Sequence, residues 1–312
     1  MKKIVIFNVG GALSAFGEFE NQRFVIDIGK SRDFSPVDDF LKPLFDKRRL
    51  KKNSEINGKH YIDQLFLSHL DKDHTSDYDN FTEFFFPQYM TCPNDNKGQR
   101  NVFKINRNLI GELTDLKKGI LSEMQARFPI HEDRPIQSIV ENVDLNYIRP
   151  LNCEADKNLC TEYANNISLT LFVNIQNKTV LFPGDLLKNG MEYLINNNPN
   201  FKKLLKDSGV DYLVAPHHGL QTSFPGVLFD TIKGNKTRLN IISEKVRSDN
   251  SEETRSDVDG RYYSEKYSTG NNSLQKRGVK TSLGHIVIDF ENTVQEVKQI
   301  ADIKDVIKEF II

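Results

Sequence analysis

The chain has little cysteine, no tryptophan, almost no net charge and no long apolar run. Three of its 312 residues are cysteine: Cys92, Cys153 and Cys160. Three thiols cannot build a disulfide framework. Cys153 and Cys160 lack a nearby histidine or second cysteine pair to complete a metal site, so free thiols in a reducing cytoplasm are expected. Lysine and arginine number 42 against 43 aspartate and glutamate, a formal net charge of -1. That excludes a uniformly basic nucleic-acid binder and leaves room for a local basic patch. No segment reads as a membrane span. The opening Met1-Lys2-Lys3-Ile4-Val5-Ile6-Phe7-Asn8-Val9 breaks at Gly10-Gly11 without a cleavage-site pattern, so it reads as a first strand, not a signal peptide. The length suits one large domain with a substantial core.

What is present is concentrated in Ser68-His69-Leu70-Asp71-Lys72-Asp73-His74. Four side chains that bind metals well fall within six residues. They follow an apolar run, Tyr61 to Leu67, that reads as a buried strand. A strand end is a rigid place to hang ligands. Converging carboxylates repel one another and lose hydration, which a cation between them would offset. The competing reading is a polar turn with solvated charges.

The rest of the chain argues for convergence. Lys3 to Val9 and Arg23 to Ile28 read as strands, Asp38 to Phe45 as a helix. Asn166 to Val173 and Lys178 to Phe182 read as a hairpin. Met191 to Leu205 is helical; Asp211 to Ala215, Leu239 to Ser243 and Gly284 to Phe290 are strands. Val294 to Ile312 is partly helical, and Arg247 to Asn272 a long polar loop. Between Cys92 and Asp144 the pattern becomes helical over Asn106 to Phe128, with a loop bracketed by Pro129 and Pro135. This reads as an insertion, residues 92–144, within one domain of residues 1–312. Strand ends then carry Asp27, the His69–His74 cluster, Asp185, and His217 or His218. Open sheets place sites beyond the carboxyl ends of their strands, so these residues can share a cleft.

Four motifs in this order resemble the metallo-β-lactamase superfamily of metal-dependent hydrolases. They are His69-x-Asp71-x-Asp73-His74, Asn165-Asn166-Ile167-Ser168-Leu169, Pro183-Gly184-Asp185 and Pro216-His217-His218-Gly219. Asp71 stands where the usual motif has a second histidine. That variant resembles the branch containing the hydrolase domain of the competence DNA-uptake protein ComEC. Asn8-Val9-Gly10-Gly11 resembles the branch's opening, with Asn8 and Ala12 replacing its two acids. Ser76-Asp77 stands where a Gly-Gly usually follows the metal motif. The Gly-His-Pro expected after the Leu239 strand is not apparent, and the uptake protein's channel domain is absent.

The resemblance implies an α/β fold, an αββα sandwich with a metal cleft at one edge. It implies two divalent ions, zinc or manganese, that activate a shared hydroxide. His69 and Asp71 would hold one ion, Asp73, His74 and His217 the other, with Asp185 between them. Asp73 and Asp185 would be the catalytic carboxylates. Asp27 would orient a ligand histidine from behind, and Asn165, Ser168 and His218 would lie alongside or meet substrate. The expected activity is phosphodiester hydrolysis, with DNA or RNA as a substrate. Rival readings are a hydrolase of small esters, lactones or nucleotides, and a non-catalytic module stabilised by metal, whose protein partner the sequence does not name.

Other residues are weighed against blander roles. His60 reads as surface, His285 as packed or hydrogen-bonded, His131 as solvated in the insertion. Lys188 reads as solvated, with a role facing a phosphate as the rival, and the run Lys47 to Lys52 as a solvated face, with tracking of a nucleic-acid backbone as the rival. Tyr262, Tyr263 and Tyr267 could stack on bases or pin their loop onto the core.

Overall fold

Central strands carry near-continuous apolar runs, such as Ile4-Val5-Ile6 and Phe24-Val25-Ile26, the pattern of sheets buried on both faces. The computed structural model describes residues 1–53, 57–93, 114–127, 136–244 and 258–311. Among these the strands are β1 (Lys2–Ile6), β2 (Ser14–Phe19), β3 (Gln22–Ile28), β4 (His60–Phe66), β5 (Phe85–Thr91), β6 (Val143–Asn146), β7 (Thr170–Ile175), β8 (Lys178–Phe182), β9 (Tyr212–Val214), β10 (Leu239–Ile242), β11 (Gly278–Lys280), β12 (His285–Asp289) and β13 (Val297–Ile300). The helices are α1 (Lys42–Lys47), α2 (Lys72–Thr75), α3 (Tyr78–Phe84), α4 (Asp115–Arg127), α5 (Pro150–Ala155), α6 (Lys157–Cys160), α7 (Tyr163–Asn166), α8 (Lys188–Asn197), α9 (Pro199–Ser208), α10 (Gly226–Thr231) and α11 (Ile303–Glu309).

The strands make a seven-stranded sheet, β13-β12-β1-β2-β3-β4-β5, and a six-stranded one, β11-β10-β9-β8-β7-β6. Ile4, Ile6, Phe24 and Ile26 of the first sheet interleave with Leu171, Val173, Tyr212 and Leu239 of the second in a shared core. The alternate residues face outwards. Val5, Phe16 and Val25 pack under Phe40, Leu44, Phe45, Phe81 and Phe310. Phe172, Leu181 and Leu213 pack under Met191, Leu194, Phe201, Leu205 and Phe229. Helices therefore cover both outer faces, and the αββα sandwich implied by the sequence is the architecture seen.

Several local readings change. The stretch from Met191 to Leu205 is two helices, because Pro199 cannot continue α8 and instead begins α9, where the Asn198 side chain caps the Phe201 amide at 3.0 Å. Asn166 ends α7 and does not begin a strand. The expected helix from Asn106 appears as α4, and Leu109, Leu113, Pro129, His131 and Pro135 lie outside the described residues. So does the first part of the polar loop; in the described remainder Tyr262 is buried and Tyr262 and Tyr267 pack on the Phe224 ring, with centroids 5.0 Å away in each case. These two rings pin the loop, and Tyr262 is closed to bases. His60 is not a surface residue: it is buried between Phe45 and Phe85. Arg48, from the basic run, closes on the buried Glu18 carboxylate at 2.6 Å. No helix among the described residues is long and apolar enough to cross a membrane.

His285 is buried at the start of β12, and its Nδ1 accepts the Asn8 amide at 3.1 Å. Burial pushes this imidazole down from 6.5 to about 4. The unfolded chain then binds the proton first. Its contribution is fully present above pH 6.5 and is lost as pH falls towards 4, about 3 kcal/mol in all. Urea unfolding at pH 7 and at about pH 4.5 should show a smaller acid loss for His285→Gln than for the parent. Equal losses would refute this account.

Candidate metal centre

One edge of the sandwich collects the ends of several strands. β3 and β4 run parallel, as do β8, β9 and β10, so their carboxyl ends point the same way within each sheet. The two sheets are tied at that edge. The Leu169 amide donates to the Ser68 carbonyl at 2.7 Å, and within the second sheet the Asp185 amide donates to Ser168 Oγ at 3.1 Å. Asp27 sits in β3, Ser68 and His69 follow β4, Asp185 follows β8, and His217 and His218 follow β9.

Backbone geometry aims these side chains. Asp27, His217 and His218 have φ of 53°, 48° and 57°. Left-handed conformation costs a non-glycine residue on the order of 1–3 kcal/mol and persists where its surroundings impose it. Two such residues in succession turn both imidazoles towards Asp185. Glycines allow the close approaches. A Cβ on Gly29 would lie 1.9 Å from the Asp73 carbonyl oxygen. Gly184, at φ +58°, would place one 2.8 Å from Ser68 Cβ.

The result is a converging donor set. Ligand atoms of Asp73, His74, Asp185 and His218 all lie within 4.8 Å of one another. His74 Nε2 is 3.1 Å from Asp185 Oδ1, and His218 Nε2 is 3.4 Å from Asp73 Oδ2 and 3.7 Å from Asp185 Oδ2. These spacings bracket the roughly 3.3 Å edge of a tetrahedron with bonds of about 2.0 Å. His69 Nε2 stands 3.7 Å from Asp71 Oδ2 and 3.9 Å from Asp185 Oδ2. His217 Nε2 is also 3.9 Å from Asp185 Oδ2. Asp185 is thus the carboxylate that faces all four imidazoles.

The chemistry of this set fits a cation. Asp27 Oδ2 lies 2.8 Å from His74 Nδ1, and the Ser243 carbonyl 3.1 Å from His218 Nδ1. Carboxylate and carbonyl oxygens accept, so each Nδ1 carries its proton and each neutral Nε2 offers a lone pair to the cluster. His69 Nε2, His74 Nε2 and His218 Nε2 are buried without a hydrogen-bond partner among the described residues. Orphaned buried ring nitrogens of this kind call for an unseen partner.

Without a metal the cluster satisfies itself by holding protons. Burial alone would lower the His74 imidazole, but the Asp185 and Asp27 carboxylates raise it well above its usual range. Burial likewise opposes ionisation of Asp185, and the neighbouring His74 and His218 nevertheless hold it well below the ordinary carboxylate value. Asp73 is half-exposed at the rim, and although partial burial opposes its ionisation, the His218 imidazole facing it at 3.4 Å brings it down to about 2. His69 is lowered by burial and by repulsion from His74. An imidazolium between two carboxylates occupies the electrostatic position a metal ion would take.

The sequence-based residues therefore fall into groups. Asp73, His74, Asp185 and His218 form the tight set; His217 lies outside it, with Nε2 3.9 Å from Asp185 Oδ2 and Nδ1 3.0 Å from Ser223 Oγ. His69 and Asp71 form a looser flank across Asp185. Asp27 lies behind His74. Ser168 Oγ is 3.5 Å from His69 Nδ1, while the Asn165 carbonyl accepts the Ser168 amide at 3.0 Å. Asn166 Nδ2 turns away to the Leu159 carbonyl at 3.0 Å. Ser223, Ser243 and Lys117 went unrecognised, because nothing in their local sequence marks them.

Lys117 reaches in from α4, whose Ile120 and Met124 pack on one outer core and Leu121 on the other. Its Nζ lies 2.8 Å from Asp71 Oδ1. A cation bound at the His69–Asp71 flank would have to displace this ammonium from Asp71. Lys117→Met should raise the metal content of purified protein by a gain approaching one equivalent, read by plasma mass spectrometry. An unchanged content would remove Lys117 as a competitor.

No family model matches the chain, and no curated protein matches it. Among solved structures it is similar to a diphosphatase from the PhnP family, with 10% identity over 78% of this chain and 87% of that chain and a TM-score of 0.37. It is similar to a possible metal-dependent hydrolase from Veillonella parvula DSM 2008, with 10% identity over 77% of this chain and 84% of that one and a TM-score of 0.36. A long form RNase Z from yeast is similar over 99% of this chain and 43% of its own length, with 11% identity and a TM-score of 0.38.

Proposed function

We propose that the chain is a metal-dependent hydrolase of phosphodiesters. The observation that carries the reading is the convergence of Asp73, His74, Asp185 and His218 with three buried, unpartnered imidazole nitrogens. Core packing has no use for such a set, and a divalent cation satisfies all of it. These four residues would hold one ion. His69, Asp71 and Asp185, with His217 nearby, would hold a second when Lys117 withdraws. When bound, such ions lower the pKa of bound water and neutralise charge on attacked and leaving oxygens.

The chain's own residues have separable tasks. Asp27 keeps the proton on His74 Nδ1 and fixes the ring plane, and the Ser243 carbonyl does the same for His218. Asp185 sets the separation of the two flanks. The mixed carboxylate and imidazole donor set suits manganese as well as zinc. Exposed cations beside Asp73, Lys30, Arg32 and Lys72, favour an anionic phosphodiester over a neutral ester or lactone.

The test is hydrolysis of bis(p-nitrophenyl) phosphate, single- and double-stranded DNA and RNA with zinc, manganese and magnesium supplied separately. Metal-dependent cleavage of a phosphodiester, absent in Asp185→Ala, supports the reading. Protein that holds metal and cleaves none of these substrates would overturn it and leave the small-ester hydrolase or the metal-stabilised module.

A further inference from the structure

A groove of about 770 Å³ opens beside the metal centre, walled on one side by Lys72, Asp73 and Ser76. Its opposite wall is the Asn8–Ala12 loop after β1 and the Lys30–Phe34 segment after β3. The volume lies within the ~300–1,000 Å³ that takes a drug-sized ligand, far more than one phosphate needs. Asp73 belongs to both the groove and the metal cluster, so the two adjoin.

The lining has two kinds of chemistry. The first is positive charge. Lys30, Arg32 and Lys72 are exposed. Lys30 is held by Asp77, with Nζ 2.9 Å from Oδ1. Arg32 and Lys72 have no ion pair among the described residues, and Asp33 is the one other acidic residue of the lining besides Asp73. The bare backbone of Gly10 and Gly11 also lines the groove, where a phosphate can approach closely. The second is a ring. Phe34 is half-buried and is backed by His285 and Phe7, with centroids 4.9 Å and 5.7 Å away. A half-exposed ring fixed from behind loses little entropy when a planar group stacks on it.

We propose that this groove holds the strand flanking the scissile phosphodiester of a single-stranded oligonucleotide. Arg32 and Lys72 take its next phosphates, and Phe34 stacks a base. Backbone charge plus an aromatic face is the combination that binds single strands without sequence preference. This rests on the phosphodiesterase reading and narrows it. The substrate carries at least one further phosphate beyond the one cleaved.

Binding of a fluorescently labelled single-stranded DNA to the full chain in EDTA tests the groove without any cleavage. The double variant Arg32→Gln/Lys72→Gln should weaken binding at least about tenfold. It should also flatten the slope of log affinity against log salt by about 1.4, the value for two lost phosphate contacts. Phe34→Leu should weaken binding about tenfold at unchanged slope, as loss of one stacked base does. The cations are exposed, so circular dichroism of the double variant should match the parent. Parent protein that binds no single strand, or a double variant with parental affinity and slope, overturns the proposal. Failure of the function reading is separate: it shows as absent hydrolysis of bis(p-nitrophenyl) phosphate by the parent, which this binding measurement does not involve.

Discussion

Asp185→Ala should yield protein that retains little or no metal and loses metal-dependent hydrolysis. Its carboxylate lies 3.1 Å from His74 and 3.7–3.9 Å from His218, His69 and His217. No other carboxylate among the described residues spans both flanks in this way. Removing it leaves four imidazoles facing one another with Asp71 and Asp73 at the rim. Hydrolysis should fall by at least the ~10²–10³-fold that loss of one preorganised electrostatic group costs. Metal content and cleavage rate should fall together. A variant that keeps full metal content and loses rate alone would show that Asp185 acts on substrate and does not hold the metal. The metal-free fold should also weaken, since His74 loses one of the two carboxylates that stabilise its proton.

Asp27→Ala should be the most damaging change away from the cleft itself. Asp27 is fully buried. It accepts the Ser68 amide at 2.6 Å, the Ser68 hydroxyl at 2.7 Å and His74 Nδ1 at 2.8 Å. Alanine leaves the Ser68 amide without an acceptor and leaves the Ser68 hydroxyl and His74 Nδ1 only the 3.1 Å contacts that Ser68 Oγ makes with His69 and His74. Breaking a buried charged pair by deleting one partner costs about 3–5 kcal/mol. The φ of 53° adds to this, because aspartate and asparagine tolerate the left-handed region better than alanine. Metal affinity should drop about 10–100-fold, the usual consequence of losing a residue that orients a ligand. Asp27→Asn keeps the shape and the left-handed tolerance, so its melting temperature should lie between those of the parent and Asp27→Ala. Calorimetry with metal-binding titrations checks both numbers. Equal stability of parent and Asp27→Ala would refute the role.

Much of the sheet framework was legible because buried strands announce themselves through apolar runs. Tyr61 to Leu67 and Lys178 to Phe182 needed no tertiary information. β2 was missed: Ser14-Ala-Phe-Gly-Glu-Phe19 carries a glycine and a glutamate, and Glu18 is buried only because Arg23 and Arg48 meet it there. β5 was missed for a similar reason, since Pro87 argues against a strand unless the strand lies at a sheet edge, as β5 does. His60 read as surface because its neighbours in sequence are polar; its neighbours in space are Phe45 and Phe85.

The sequence by itself determined which residues could serve as ligands and that they lie at strand ends. A strand's carboxyl end is a local property, and His69, Asp73, His74 and Asp185 each follow an apolar run. Only the tertiary structure decided how they meet. His217 and His218 are chemically identical neighbours, and their roles separate through partners contributed by other segments, Ser223 for one and the Ser243 carbonyl for the other. Lys117 stands 46 residues from Asp71 and became part of the site because α4 packs across the edge where both outer cores end. Such placements depend on side-chain packing between segments distant in the chain, for which a single sequence carries no local signal.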